Sequence, residues 1–296
     1  MTDKQFCMSS YLAFRYIERD DMNFYDGLTH DNIKPVPQEK TIPVKTSEDI
    51  DREIQKQFDA LKGKHLGILL SGGMDSACLA SYMRGADAYT FRFLGGEFQK
   101  EELRKAEYYA KYYGLTLHYV DIDWNIVEKY LRPCMLRKGA PVHSIEPQIL
   151  AGAMQAKADG VEMMIVGESS DLLFGGMDQL LSKDWEFDEF QKRYTFTNPE
   201  DVLRNPVDMS YLYERYRQES KIDFMTFMDE VFSIESSSSY LNAFGVAEMP
   251  YLDPYAILRM SEPLDLNRVR HGEPKYLIRD LFHQKYPEIP IPNKTP

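Results

Sequence analysis

The run from His65 to Met83 constrains this chain most. An apolar stretch, His65-Leu66-Gly67-Ile68-Leu69-Leu70, leads into Ser71-Gly72-Gly73-Met74-Asp75-Ser76, and a run of small residues, Ala77-Cys78-Leu79-Ala80-Ser81-Tyr82-Met83, follows. The pattern predicts a strand, a tight loop and a helix N-terminus. Such a junction aims several backbone N–H groups and the positive helix end at one point, which suits a phosphate. Gly72 and Gly73 lack the Cβ that would block close approach or forbid a positive φ. Ser71 and Ser76 add hydroxyl donors. Asp75 is the informative residue, because a carboxylate in an anion-binding loop repels the ligand unless a divalent cation stands between them. The loop has no lysine, so it is not a Walker loop.

Strand and helix patterns alternate around this junction. Thr46 or Ser47 caps a helix whose apolar stripe is Ile50, Ile54, Phe58 and Leu61. Strands are expected at 65–70, 88–93, 115–120 and 161–166, with helices at 101–113, 125–131 and 145–158. This predicts an α/β fold, a doubly wound and mostly parallel sheet with helices on both faces, followed by a helical C-terminal part. Ligands in such sheets bind at the carboxyl ends of strands, so the loops after Leu70 and Val166 are expected to wall one site. Residues 1–45 read as a small unit: a strand at 11–17, a turn at Asp20-Asp21, a return at 22–25, and a connector with Pro35, Pro37 and Pro43. Residues 46–296 read as the main domain. Residues 181–222 read as an irregular or helical insertion over the site, and Pro287, Pro290, Pro292 and Pro296 as marks of an extended tail.

Composition narrows the function. The 296 residues are 43% apolar, enough to build a core. A net charge of −12 argues against a nucleic-acid partner. Cys7, Cys78 and Cys134 are far apart and read as free thiols rather than a disulfide framework or a zinc site. With no run of 18 apolar residues and no signal-peptide core, the expectation is a soluble cytoplasmic protein with no membrane partner.

A second motif, Gly167-Glu168-Ser169-Ser170-Asp171-Leu172-Leu173-Phe174-Gly175-Gly176, follows the strand ending at Val166. Two acids three apart, bracketed by glycines at a strand end, suit metal and phosphate chemistry. Ser71 to Ser76 resembles the PP-loop of the N-type ATP pyrophosphatases. The second motif resembles the Gly-Glu-Gly-x-Asp-Glu-Leu-Phe-Gly-Gly stretch of the asparagine synthetase family's synthetase domain. Glu248-Met249-Pro250-Tyr251-Leu252-Asp253 is similar to that family's Pro-Phe-Leu-Asp run, and Glu273 to Arg279 to its Lys-x-x-Leu-Arg helix. The four stretches come in family order. Departures are Leu172, where the family has Glu, Glu248, where it has Arg, and the missing glutaminase domain with its leading cysteine.

The resemblance implies a chemistry. A carboxylate attacks the α-phosphate of ATP, pyrophosphate leaves, and ammonia or an amine displaces AMP to form an amide. It implies ATP and Mg²⁺ as cofactors, with Asp75 and Asp171 as Mg²⁺ ligands. The implied ATP and pyrophosphate site is Leu69, Ser71, Gly72, Gly73, Asp75, Ser76, Gly167 and Lys275. Lys275 and Glu168 are the implied catalytic residues, the first a charge stabiliser and the second a general base. Expected partners are a small carboxylate and ammonia or an amine, with room for a separate glutaminase chain and for a homo-oligomer. The competing readings are another PP-loop ligase, such as an NAD or GMP synthetase, and a non-catalytic ATP-binding scaffold.

Overall fold

The structure is a computed structural model that describes residues 1–34, 36–95 and 99–292. Pro35 of the expected connector and Pro296 of the expected tail lie outside the described residues. The chain divides into two compact units, each assembled from three segments. One takes Met1–Pro35, Tyr130–Pro147 and Lys183–Val246; the other takes Val36–Lys129, Gln148–Ser182 and Ala247–Pro296.

Strands among the described residues are β1 (Ile42–Val44), β2 (Leu66–Leu69), β3 (Asp87–Phe93), β4 (Thr116–Ile122), β5 (Met163–Ile165), β6 (Arg217–Gln218), β7 (Lys221–Ile222), β8 (Tyr251–Leu252) and β9 (Leu258–Met260). The second unit holds a five-stranded parallel sheet in the order β4-β3-β2-β5-β8. From β2 the chain steps outward through β3 and β4, then returns to the other side of β2 through β5 and β8. The switch point therefore falls between β2 and β5, where a doubly wound sheet opens a crevice at its carboxyl edge. The expected α/β architecture is present, with a parallel sheet flanked by helices. β1 and β9 form a separate parallel pair in the same unit.

The helix Ser47–Ala60 forms as its sequence dictates. Thr46 and Asp49 close a capping box, and Ile50, Ile54 and Phe58 are buried at its core face. Burying each of these three side chains contributes roughly 1.5–3 kcal/mol. They join Ile68, Leu70 and Ile165 from the sheet and Leu281, Phe282 and Tyr286 from the helix Tyr276–Lys285 in one core. Gly114 ends the helix Lys100–Tyr113 in the left-handed conformation, φ +70°, as a C-terminal glycine commonly does.

The first unit corrects one expectation. The segment read as a hairpin strand over 11–17 is instead the end of a helix, Lys4–Phe14. Asp3 caps it by accepting hydrogen bonds from Gln5 N and Phe6 N, and Arg15 closes it at φ +61°. The cap outweighs the β-propensity of Tyr11 and Phe14, because Ser9, Ser10, Ala13 and Phe14 are buried together on one helical face. Residues 183–222 form short helices, Phe187–Tyr194, Pro199–Val202 and Ser210–Glu214, and the β6–β7 hairpin. Their aromatics, with Phe227 of the helix Phe224–Phe227, make this unit's core: the Tyr194 and Phe227 ring centroids are 4.7 Å apart, and Phe227 stacks on Tyr213 at 5.2 Å. Among the described residues no helix is long and apolar enough to cross a membrane.

Candidate active site

The site lies in the second unit, where β2 and β5 end side by side. β2 feeds Leu70 and the loop 71–73 into the helix Met74–Ala80. The loop's hydroxyls bond within it: Ser76 Oγ accepts from Ser71 N at 3.1 Å and lies 3.0 Å from Ser71 Oγ, which accepts from Gly73 N at 3.1 Å. In this structure the two serines stiffen the loop. The glycines need no positive φ, since Gly73 sits at φ −83° and neither is in the left-handed region. Close approach is the reason at Gly72, where a Cβ would stand 2.9 Å from the Glu102 backbone oxygen. The group that approaches is therefore the helix Lys100–Tyr113.

β5 leads through Val166 into Gly167 and Glu168, then into the helical turn Ser170–Phe174. A Cβ on Gly167 would be 3.5 Å from Asp75 Cβ, so the two loops pack against each other. Ser170 Oγ donates to Asp75 Oδ1 at 2.7 Å and ties the second motif to the first. Asp253, just past β8, accepts from Ser169 N at 2.7 Å and from Tyr255 N at 3.0 Å. Burial raises the Asp253 pKa to about 6 despite these bonds. Tyr255 Oη donates to the Asp75 backbone oxygen at 3.1 Å. Asp253, at the end of the Pro-Tyr-Leu-Asp run, and Tyr255, two residues on, thus brace the two loops.

Lys275 joins them. It precedes the helix Tyr276–Lys285 in the left-handed conformation, φ +54°, a strained position for a residue with a Cβ. Its Nζ lies 2.5 Å from Asp75 Oδ2 and 2.5 Å from Asp171 Oδ1, and its side chain is only 6% exposed. Burial by itself would lower the ammonium pKa; Asp75 and Asp171 outweigh it and hold the pKa above the ordinary lysine value. Gly176 makes the room: a Cβ there would sit 1.8 Å from Asp171 Oδ1 and 2.3 Å from Lys275 Cε.

Of the expected site residues, the fold brings Asp75, Asp171 and Lys275 into direct contact and sets Gly167 and the Ser71–Ser76 loop beside them. Glu168 is half-buried beside Gly167; burial raises the pKa of Tyr251 on β8, and Asp253 and then Glu168 add to it. Leu69 ends β2 and meets Gly152 of the helix Glu146–Ala158, outside the ion-pair cluster. Three other cations of the 259–285 segment are engaged elsewhere: Arg268 with Glu273 at 2.7 Å, Lys285 with Asp51 at 2.6 Å and Arg270 Nε with the Leu181 oxygen at 3.0 Å. Ser170, Tyr255 and Gly176 are the site residues that sequence reasoning missed. Ser170 and Gly176 stand inside the second motif, whereas Tyr255 carried no visible signal.

The residues fit a divalent cation of the magnesium kind. Two carboxylate oxygens already converge on one positive centre, the Lys275 nitrogen. Among the described residues no group of three or more His, Cys, Asp or Glu side chains could hold a metal. One or two carboxylates, completed by substrate phosphates and water, is the usual Mg²⁺ arrangement rather than a protein cage.

Comparison with known proteins gives the family. The Asparagine synthase family profile matches residues 54–289, most of the chain, and spans every residue of the cluster. The chain belongs to the asparagine synthase family. No curated protein matches it. Among solved structures, it is similar to a glutamine-dependent NAD⁺ synthetase from Acinetobacter baumannii in complex with ADP (19% identity, 47% of this chain and 28% of that one, TM-score 0.33). It is also similar to an NMN synthetase from Francisella tularensis (10% identity, 84% of this chain and 96% of that one, TM-score 0.32). A third is the U34-tRNA thiolase NcsA from Methanococcus maripaludis (13% identity, 82% of this chain and 80% of that one, TM-score 0.32). The chain spans less than a third of the NAD⁺ synthetase's length, and likenesses of this level carry no argument about activity.

Proposed function

We propose that this member of the family is an ATP-dependent, AMP-forming amide synthetase. A substrate carboxylate displaces pyrophosphate from the α-phosphate of ATP, and ammonia or an organic amine then displaces AMP from the acyl-adenylate. The observation that carries the reading is the convergence of Asp75, Asp171 and Lys275 at the carboxyl edge of β2 and β5. A nucleotide-binding scaffold has little use for a buried lysine between two acids, whereas nucleotidyl transfer needs charge at that point.

Asp75 and Asp171 would hold Mg²⁺, which supplies neutralisation and polarisation of the phosphate oxygens when bound. Lys275, turned from the carboxylates, offers its ammonium to the oxygens that gain charge as pyrophosphate departs. The Ser71–Ser76 loop, stiffened by its own hydroxyls, presents those of its backbone N–H groups that the hydroxyls do not take up. Glu168 takes the proton shed by the attacking amine. Ammonia reaches the site free or from a separate glutaminase chain. The test is ATP–pyrophosphate exchange over a panel of carboxylic acids, amino acids included. Exchange stimulated by one class of acid supports the reading and names the substrate. Absence of exchange with every acid, from protein shown to bind ATP, supports a scaffold instead.

A further inference from the structure

The Lys275 ammonium stands where a cation bridging Asp75 and Asp171 would stand. Both carboxylate oxygens lie 2.5 Å from the one nitrogen, so they are no farther apart than twice that distance. That is close enough to share one divalent ion, with bonds of ~2.1 Å, after small side-chain shifts. Three contacts hold the arrangement. Ser170 fixes the second oxygen of Asp75, the backbone of Gly176 donates to the Asp171 carbonyl at 2.7 Å, and the missing Cβ of Gly176 leaves the space that Asp171 Oδ1 and Lys275 Cε occupy.

Resting on the reading of Asp75 and Asp171 as metal-facing carboxylates, we infer that Lys275 is the resident counter-ion of those two carboxylates and competes with the divalent cation for the same oxygens. Two carboxylates and one ammonium leave a single net negative charge, a poor site for a free dication. A dication brought in beside the ammonium would be repelled by it, and even water-like screening leaves a repulsion worth more than about tenfold in affinity. The conflict is relieved when the cation arrives with a polyphosphate, because the phosphate oxygens give the displaced ammonium a new anionic partner. Free metal therefore binds poorly, metal and nucleotide bind together, and one movement both opens the metal site and delivers Lys275 to the phosphates.

The test measures Mn²⁺ binding to nucleotide-free protein by electron paramagnetic resonance, in the wild type and in Lys275→Met. Removing the ammonium should tighten Mn²⁺ binding about tenfold or more. Equal or weaker binding by Lys275→Met overturns the inference. Lys275→Gln serves as a second variant should the first not fold. A wild-type measurement stands beside them: Mn²⁺ alone should leave the melting temperature nearly unchanged, while Mn²⁺ with a non-hydrolysable ATP analogue should raise it. An equal rise with Mn²⁺ alone overturns the inference too. Asp75→Asn in the Lys275→Met background separates the two ideas. If it leaves Mn²⁺ binding intact, the metal reading itself fails; if it abolishes binding that Lys275→Met had not tightened, only the competition fails.

Discussion

Gly176→Ala is the change with the most direct structural consequence. Its new Cβ would stand 1.8 Å from Asp171 Oδ1 and 2.3 Å from Lys275 Cε, against ordinary carbon contacts of ~3.5 Å. Asp171 would have to withdraw by well over ~1 Å, opening its 2.5 Å contact with Lys275 to a separation at which little of the pairing survives. Overpacking of this kind typically costs about 1–3 kcal/mol of stability. The effect on chemistry should be larger in proportion, since a misplacement of ~1 Å at a reacting centre can cost about 10²-fold. Gly175→Ala is the control. Gly175 has φ +82°, and its Cβ would meet Leu264 at 2.9 and 3.0 Å, so that variant should lose stability through backbone strain and crowding away from the ion pairs. The assay is urea unfolding of both variants beside ATP–pyrophosphate exchange per folded molecule. Gly176→Ala should lose exchange by about 10²-fold and Gly175→Ala by less than about tenfold. Equal exchange in the two variants would refute the reasoning.

Other consequences concern separate parts of the molecule. Glu168→Gln should keep exchange and lose amide formation, while Lys275→Met loses both by about 10² or more; loss of exchange in Glu168→Gln would move Glu168 to the phosphate groups. Glutamine should not be hydrolysed, because Cys7 is fully buried with its pKa pushed up to about 11 by that burial, unsuited to a nucleophile; glutamate release that Cys7→Ala abolishes would show otherwise. At the amino edge of the sheet both His65 nitrogens face acceptors, Nε2 at 2.6 Å from Asp87 Oδ2 and Nδ1 at 3.0 Å from the Gly160 oxygen, so the imidazolium is held and its bond to Asp87 raises its pKa. A raised folded-state pKa stabilises below the ordinary histidine value of 6.5 and loses that stabilisation as pH rises through the folded value. The wild type's advantage over His65→Gln in urea should therefore shrink as pH rises, and an advantage constant with pH would sink this reading.

The parallel sheet was legible because its helices carry local signals. The Thr46 cap, the Ile50–Ile54–Phe58 stripe and Gly114 each act within a few residues, and their periods separate helix from strand. The helix Lys4–Phe14 is hard to read from sequence because the aromatic run 11–17 mimics a strand, while the signal for a helix, the Asp3 cap, lies eight residues before that run. Asp75, Asp171 and Lys275 were legible as motif residues, yet nothing local in the sequence says that Lys275 sits on both acids. That contact depends on a left-handed residue before the last helix and on a missing Cβ a hundred residues away. Ser170, Tyr255 and the bracing role of Asp253 were hidden for the same reason: their partners are distant in sequence and close only after β2, β5 and β8 line up.

The central claim is that ATP is cut between its α- and β-phosphates and that the acid is activated there. The direct measurement is phosphorus NMR of ATP turnover with Mg²⁺, an amine donor and the stimulating carboxylic acid labelled with ¹⁸O in its carboxyl group. The account predicts AMP and pyrophosphate as products, with one ¹⁸O carried from the acid into the AMP phosphate. ADP and phosphate as products, or AMP without the label, would contradict it.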